Sequence, residues 1–201
     1  MYAAGGCFFA EAADRSATSA RLFWDRRIDS SVLVVEARPA RGDGGDAFDV
    51  APLGALATLL VTPSGEEHLL LSNGVQCLQV DIVSGTLREG PVDLVYRLDD
   101  GRRAKLQMQV LVRFLALRRH RMFQPWLTPP ETQGGRWIRQ LRVHDAIVAG
   151  ASERQIAIAL FGAGAVAAQW KEGSGPLRSA VQRLVRRARA NVDGDYLNLL
   201  Q

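Results

Sequence analysis

The residues best equipped for chemistry are the arginines of PLRSAVQRLVRRARANV, Pro176 to Val192. A guanidinium carries a permanent charge and a planar fork of donors that suits phosphate oxygens and the guanine edge. Leu177, Val181, Leu184, Val185, Ala188 and Val192 recur at helical spacing and define one apolar stripe. At 100° per residue, Ser179, Gln182, Arg183 and Arg186 lie opposite that stripe, with Arg178, Arg187 and Arg189 on its flanks. A helix in the major groove offers such a face to base edges, where Arg bonds guanine and Gln bonds adenine, while flanking cations reach phosphates. The expected contact set for double-stranded DNA is therefore Arg178, Ser179, Gln182, Arg183, Arg186, Arg187 and Arg189. A merely solvated basic face is the bland reading, and it is weaker because the charge coincides with a helix-turn-helix pattern.

Other chemistry finds little support. GAGAVA, Gly162 to Ala167, fits a dinucleotide fingerprint. Only 34 residues follow it, too few for a doubly wound sheet, and arginines stand where the ribose-binding acid belongs. His68, His120 and His144 have no metal-ligand spacing to another His, Cys or acid. The acid pairs Glu66-Glu67 and Asp99-Asp100 sit at turns and are expected to be solvated. His144 is expected to be a satisfied core histidine, and Asp145 a partner for a nearby arginine. No nucleophile motif and no phosphate loop is present, so neither catalysis nor a cofactor is expected.

The elements that position the basic helix carry boundary signals. A helix is expected from Arg136 to Ala149, with Trp137, Leu141, His144 and Val148 on one face, and Gly150-Ala151 breaks it. Ser152 is an N-cap with its capping-box partner Gln155 three residues on. The next helix, Glu153 to Phe161, turns Ile156, Ala157 and Leu160 to one side, and Gly162 ends it in a left-handed conformation. Ala165 to Lys171 reads as a short packing helix anchored by Trp170, since it offers phosphates only Lys171. Ser174 or Gly175 caps the basic helix, Pro176 takes its first position, and Gly194 closes it. Tyr196, Leu197, Leu199 and Leu200 are expected to fold back on the bundle.

Ahead of this module the chain has another character. Residues 1 to 100 hold eight arginines and fifteen acids, a net −7, whereas 101 to 201 hold seventeen cations and six acids, a net +11. Asymmetry of this size points to a polyanionic partner for the second half and makes contact between the first half and DNA unfavourable. Two unspaced cysteines, Cys7 and Cys77, no signal peptide and no membrane-length apolar run lead to the expectation of a cytoplasmic protein without a membrane partner.

Residues 1 to 31 read as irregular, with Leu22-Phe23-Trp24 an apolar knot that docks on a sheet. Strands are expected at Val32 to Ala37, Leu56 to Thr62, Glu67 to Leu71, Val75 to Val83 and Val92 to Leu98, with Asn73-Gly74 marking a hairpin. The period then changes. Arg103 to Arg119 reads as a helix buried between the sheet and the C-terminal bundle. It ends in Arg118, Arg119, His120 and Arg121, either as cations that suit a helix C-terminus or as a second phosphate contact. The expected class is α+β. An N-terminal antiparallel β-rich domain with its closing helix spans 1–123, a Pro- and Gly-rich linker 124–135, and a helix-turn-helix domain 136–201. The N-terminal domain is expected to carry a homo-oligomer interface or to bind a related regulator.

WIRQLRVHDAIVAGASERQIAIALFG (Trp137 to Gly162), the later QWK, LRSAVQRLVRRAR and DYLNLL together resemble the RovC-type DNA-binding domain of proteobacterial regulators. GCFFAEAADR, LFW and SSVL near the N-terminus look like its longer members. The resemblance covers most of the chain, most specifically residues 136 to 200. It implies a transcriptional regulator, with relatives that activate type VI secretion genes or act as activators and antiactivators of excision in mobile elements. It carries DNA contact onto Arg178, Arg183, Arg186 and Arg187. Beside sequence-specific DNA binding stands a second reading, a protein-binding antiactivator that keeps the fold without using it on DNA.

Overall fold

The structure, a computed structural model, describes residues 7–9, 14–16, 19–41, 46–128, 134–170 and 175–199. They fall into two compact units, one within Met1–Pro129 and one within Pro130–Leu199.

The first unit is built on a five-stranded sheet. Its strands are β3 (Leu33–Pro39), β4 (Ala57–Val61), β5 (Glu67–Ser72), β6 (Cys77–Ser84) and β7 (Val92–Arg97), in the order β4-β5-β6-β3-β7. Two short strands precede it, β1 (Cys7–Phe9) and β2 (Leu22–Trp24), and pair antiparallel with each other. The expected antiparallel character holds in three of the four pairings of this sheet, which is mixed because β3 and β6 run parallel. Alternating hydrophobicity reports which faces a strand buries but carries no information on the direction of its neighbour. Here the chain leaves β3, enters the sheet again at β4, and returns through two hairpins that bring β6 up beside β3 in the same sense.

The Asn73-Gly74 hairpin forms, with a four-residue turn in place of a two-residue one. Ser72 pairs with Cys77, and the Asn73 carboxamide oxygen accepts from the backbone of Val75 and Gln76. Val75, expected in the return strand, is 91% exposed at the turn tip.

One sheet face is apolar. Leu33, Val35, Leu69, Leu71, Leu78 and Val80 pack with Val110, Phe114 and Leu117 of helix α1 (Arg102–His120). The helix is not buried around its girth: Met108, Val112 and Leu115 are exposed on its outer side. Other buried positions of the sheet are polar. The Gln79 carboxamide of β6 donates through Nε2 to the Trp24 carbonyl and accepts through Oε1 from the Trp24 N–H, at 2.8 and 2.7 Å, so the LFW knot is a strand whose backbone is tied to the sheet by a side chain. Asp81 accepts from Gln79 and lies 2.7 Å from His68 Nδ1.

Glu67 corrects the expectation of a solvated acid pair. It is buried, and its carboxylate accepts from the Leu87 N–H at 2.8 Å, the Thr86 hydroxyl at 2.6 Å and Arg88 Nε at 2.9 Å. It thus organises the turn that leaves β6. In the same turn Gly85 has φ +80°, and a Cβ there would lie 1.8 Å from the Ala37 carbonyl oxygen. No side chain fits without moving the strand.

The second unit is helical: α2 (Gly134–Val148), α3 (Glu153–Phe161), α4 (Ala163–Gln169) and α5 (Pro176–Val192), then a turn of 3-10 helix at Asp195–Leu199 that packs on α5. Its core joins Val143, Ile156, Ala157, Val166, Val181, Val185 and Ala188. The α2 face differs from the expected one. Gln140, Val143 and Ile147 turn inward, while Leu141 and Val148 stay 55% and 74% exposed. Trp137-Leu141-His144-Val148 and Gln140-Val143-Ile147 both satisfy helical spacing, so periodicity could not choose between them.

Candidate nucleic-acid interface

The caps that hold α3 and α5 form largely as their sequences require. α2 ends in a Schellman motif, with Ala151 N–H bonded to the Ala146 carbonyl, Gly150 N–H to Ile147, and Gly150 at φ +81°. Ser152 and Gln155 then make both bonds of the capping box on α3. Gly162 joins α3 directly to α4. Its φ of 86° and ψ of 152° lie outside the left-handed helical region expected for it, in a region open essentially to glycine alone. The short helix starts at Ala163, two residues earlier than expected, and its C-cap Trp170 packs on the core. Lys171 and Ser174 lie outside the described residues. Gly175 is the N-cap of α5 and Pro176 its first residue. Gly162 stands between two helices and Gly164 lies inside α4, so GAGAVA does not form the strand-to-helix turn of a dinucleotide site. Tyr196 and Leu197 are half-buried beyond α5; Leu200 lies outside the described residues.

The seven expected contact residues separate by environment. Arg183, Arg186, Arg187 and Arg189 are exposed. Taking the buried side of α5 from Val181, Val185 and Ala188, Arg183 points almost directly away from it, with Arg186 and Arg187 to either side. None of the four has an ion pair among the described residues. Arg178 and Gln182 are engaged within the unit. Gln182 Nε2 donates to Glu153 Oε2 at 3.2 Å, and Arg178 Nε lies 3.9 Å from the same oxygen. Both side chains are half-buried, and so is Ser179. Glu153 is thus the intramolecular partner that the linear pattern did not reveal, because it sits on α3, far away in sequence.

A second basic feature was also missed. Arg136, Arg139 and Arg142 of α2 are all exposed and without an ion pair among the described residues. Their regular three-residue spacing was the available signal. Asp145, expected to neutralise a neighbour, is exposed and forms no ion pair among the described residues either. His144 is half-buried at the edge of α2 rather than in the core.

The Arg118–Arg121 cluster belongs to the first unit. It borders a groove of about 880 Å³ whose other wall carries Asp46, Asp49 and Asp93, and Arg118 lies 6.0 Å from the centre of the Phe48 ring. Facing carboxylates favour the reading of these cations as the basic end of a helix. The His68–Asp81 pair is likewise local. The Asp81 hydrogen bond raises the His68 pKa above its ordinary value against the opposing effect of burial, aided by the charges of Asp81 and Glu66 and opposed by Arg26. Among the described residues no three His, Cys, Asp or Glu side chains converge as metal ligands, and no helix is long and apolar enough to cross a membrane.

An α+β chain whose helical unit turns exposed arginines of α2 and α5 outward has the surface of a nucleic-acid-binding protein. Residues 96–201 match the family RovC_DNA-bd, described as a type VI secretion transcription factor DNA-binding domain. The chain belongs to this family of DNA-binding transcription factors. No curated protein matches it significantly. The matched span begins in β7 and takes in α1, so it includes part of the first compact unit as well as all of the second.

Proposed function

We propose that this protein is a cytoplasmic, sequence-specific transcriptional regulator that reads duplex DNA with α5. The observation that carries this reading is the set of four exposed arginines, Arg183, Arg186, Arg187 and Arg189, without an ion pair among the described residues, on a helix whose opposite side is core. Arg183 and Arg186 take the base-reading role, and Arg187 and Arg189 the phosphate role. Arg178 and Gln182, held by Glu153, fix the angle of α5 against α3. The domain organisation follows the same division of labour, with residues 1–123 regulating, 124–135 linking and 136–201 binding. The first unit carries self-association or a related regulator, for which the exposed Met108, Val112 and Leu115 of α1 offer an apolar surface.

Each neutralised phosphate releases condensed counterions, so affinity falls linearly with salt on logarithmic axes. Titration of a mixed-sequence duplex at several salt concentrations is expected to show that dependence. Failure to bind any duplex at low salt would remove the DNA reading and leave the protein-binding antiactivator.

A further inference from the structure

The arginines of α2 form a surface that the basic helix does not account for. Arg136, Arg139 and Arg142 stand at i, i+3 and i+6, a ridge about 9 Å long. All three are exposed, and among the described residues none has an ion pair or a side-chain hydrogen bond. From Gly134 to Arg142 the helix contains no acid; its first is Asp145. Solubility does not require three adjacent cations of one sign without interspersed acids. Five exposed arginines of the first unit show the alternative: Arg26, Arg27, Arg38, Arg88 and Arg97 each pair with a carboxylate.

The placement of this ridge is set by α5. The two helices pack along each other, and Asn191 of α5 donates to the buried Gln140 carboxamide of α2. Within one helical turn of that bond stand Arg136 and Arg139 on α2, and Arg187 and Arg189 on α5. The hydrogen bond therefore joins two arginine-bearing segments of packed helices, neither with an ion pair to these four arginines among the described residues.

We infer that Arg136, Arg139 and Arg142 form a second phosphate-contacting ridge, which grips the duplex backbone beside the segment engaged by α5. The inference rests on the DNA-binding reading above and extends it to a helix that reads no bases. Backbone contacts position a protein without carrying sequence information. The ridge therefore contributes equally on cognate and unrelated DNA.

The test compares the full-length parent with the triple variant Arg136→Gln, Arg139→Gln, Arg142→Gln. Affinity for a cognate-enriched and a mixed-sequence duplex is measured across potassium chloride concentrations, after circular dichroism. The control triple is Arg41→Gln, Arg103→Gln, Lys105→Gln, which removes the same charge from exposed sites of the first unit. The α2 triple is expected to lower the salt slope by roughly two to three units, at about 0.9 per phosphate, with an unchanged preference between the duplexes. The control is expected to change the slope by less than about one unit. A conservative triple to Lys keeps the slope, since an ammonium serves a phosphate as a point charge; if the Gln triple does not fold, the single variants Arg139→Gln and Arg142→Gln are each expected to lose about one unit. Binding by the parent with an unchanged slope in folded α2 variants overturns the ridge and leaves the role of α5 intact. Equal losses in the α2 and control triples also overturn it, since net charge alone would then account for both. A parent that binds no duplex overturns the underlying reading instead.

Discussion

The two units treat polar groups in opposite ways. In the first, Asp29, Ser30, Glu67, His68, Ser72, Gln79, Asp81 and Gln107 are buried, and ion pairs join Arg26, Arg27, Arg38, Arg88 and Arg97 to carboxylates. In the second, Gln140 is the one buried polar residue among those described, and the one ion pair there is the long Arg178–Glu153 contact. Burying a carboxylate is tolerable only with a full set of donors, so the buried carboxylates of the first unit, Asp29, Glu67 and Asp81, specify their neighbours and have little left for a partner. Cations left unpaired at the surface have the opposite character: they add little to the fold and keep their charge for an outside anion. Pairing therefore separates structural arginines from candidate contact arginines better than their abundance does.

The sharpest break in this comparison is expected from the small core of the second unit. Ile156 is 3% exposed at its centre. Ile156→Ala is expected to cost about 2–4 kcal/mol. A unit of this size has only a few kcal/mol of stability, so its helical signal and DNA binding are expected to be lost together, at temperatures where the sheet unit still holds. Domain-resolved hydrogen exchange checks this. A single cooperative loss across both units would show that they stand or fall together.

Glu67→Gln is expected to be nearly as costly to the first unit, about 1–3 kcal/mol, with DNA affinity unaffected. The same carboxylate gives the unit an acid limit. Burial pushes its pKa up, but the Leu87 N–H, Thr86 hydroxyl and Arg88 guanidinium outweigh that and hold it below the usual range. Because the folded value is depressed, the stabilisation is present above the ordinary value near 4.5 and is lost as pH falls through the folded one. Melting temperatures of parent and variant are therefore expected to converge in acid; a gap that persists at low pH would contradict the assignment.

On α5 the expected effects are functional. Arg183→Ala or Arg186→Ala is expected to lose roughly 1–3 kcal/mol on a cognate site and to relax base preference. Arg187→Ala or Arg189→Ala is expected to weaken all sequences alike and to lower the salt slope by about one unit. Binding curves on cognate and scrambled duplexes separate the two kinds of loss. Parent-like behaviour of all four folded variants would remove α5 as the reader. The smallest effect is expected from Gln182→Ala. Its carboxamide is occupied by Glu153, so the change is expected to cost about 0.5–1.5 kcal/mol of stability and leave base preference as it was. A switched preference would return Gln182 to the contact set.

Local signals alone determined the helical unit almost residue by residue. Ser152 with Gln155, Gly150, Gly162 and Pro176 act within one turn of themselves, and the Val181-Val185-Ala188 stripe needs only the 3.6-residue period. The five strands of the main sheet were legible to within two residues for the same reason, whereas β1 and β2 fall in a stretch that reads as irregular. What the tertiary structure decided is every choice that depends on a partner distant along the chain. The parallel β3–β6 pairing, the burial of Glu67 under the Thr86-Leu87 turn and the inward face of α2 are of this kind. So is the division of charge. Of the +11 carried by residues 101 to 201, seven cations belong to the first unit, six on α1 and Arg121 at its end, leaving +4 for residues 130–199. Composition counts charges along a line, whereas availability depends on which carboxylate the fold brings within reach. That is why Gln182 and Arg178 looked free in the sequence and are held by Glu153 in three dimensions, and why the unpaired arginines of α2 came into view only once their neighbours were in place.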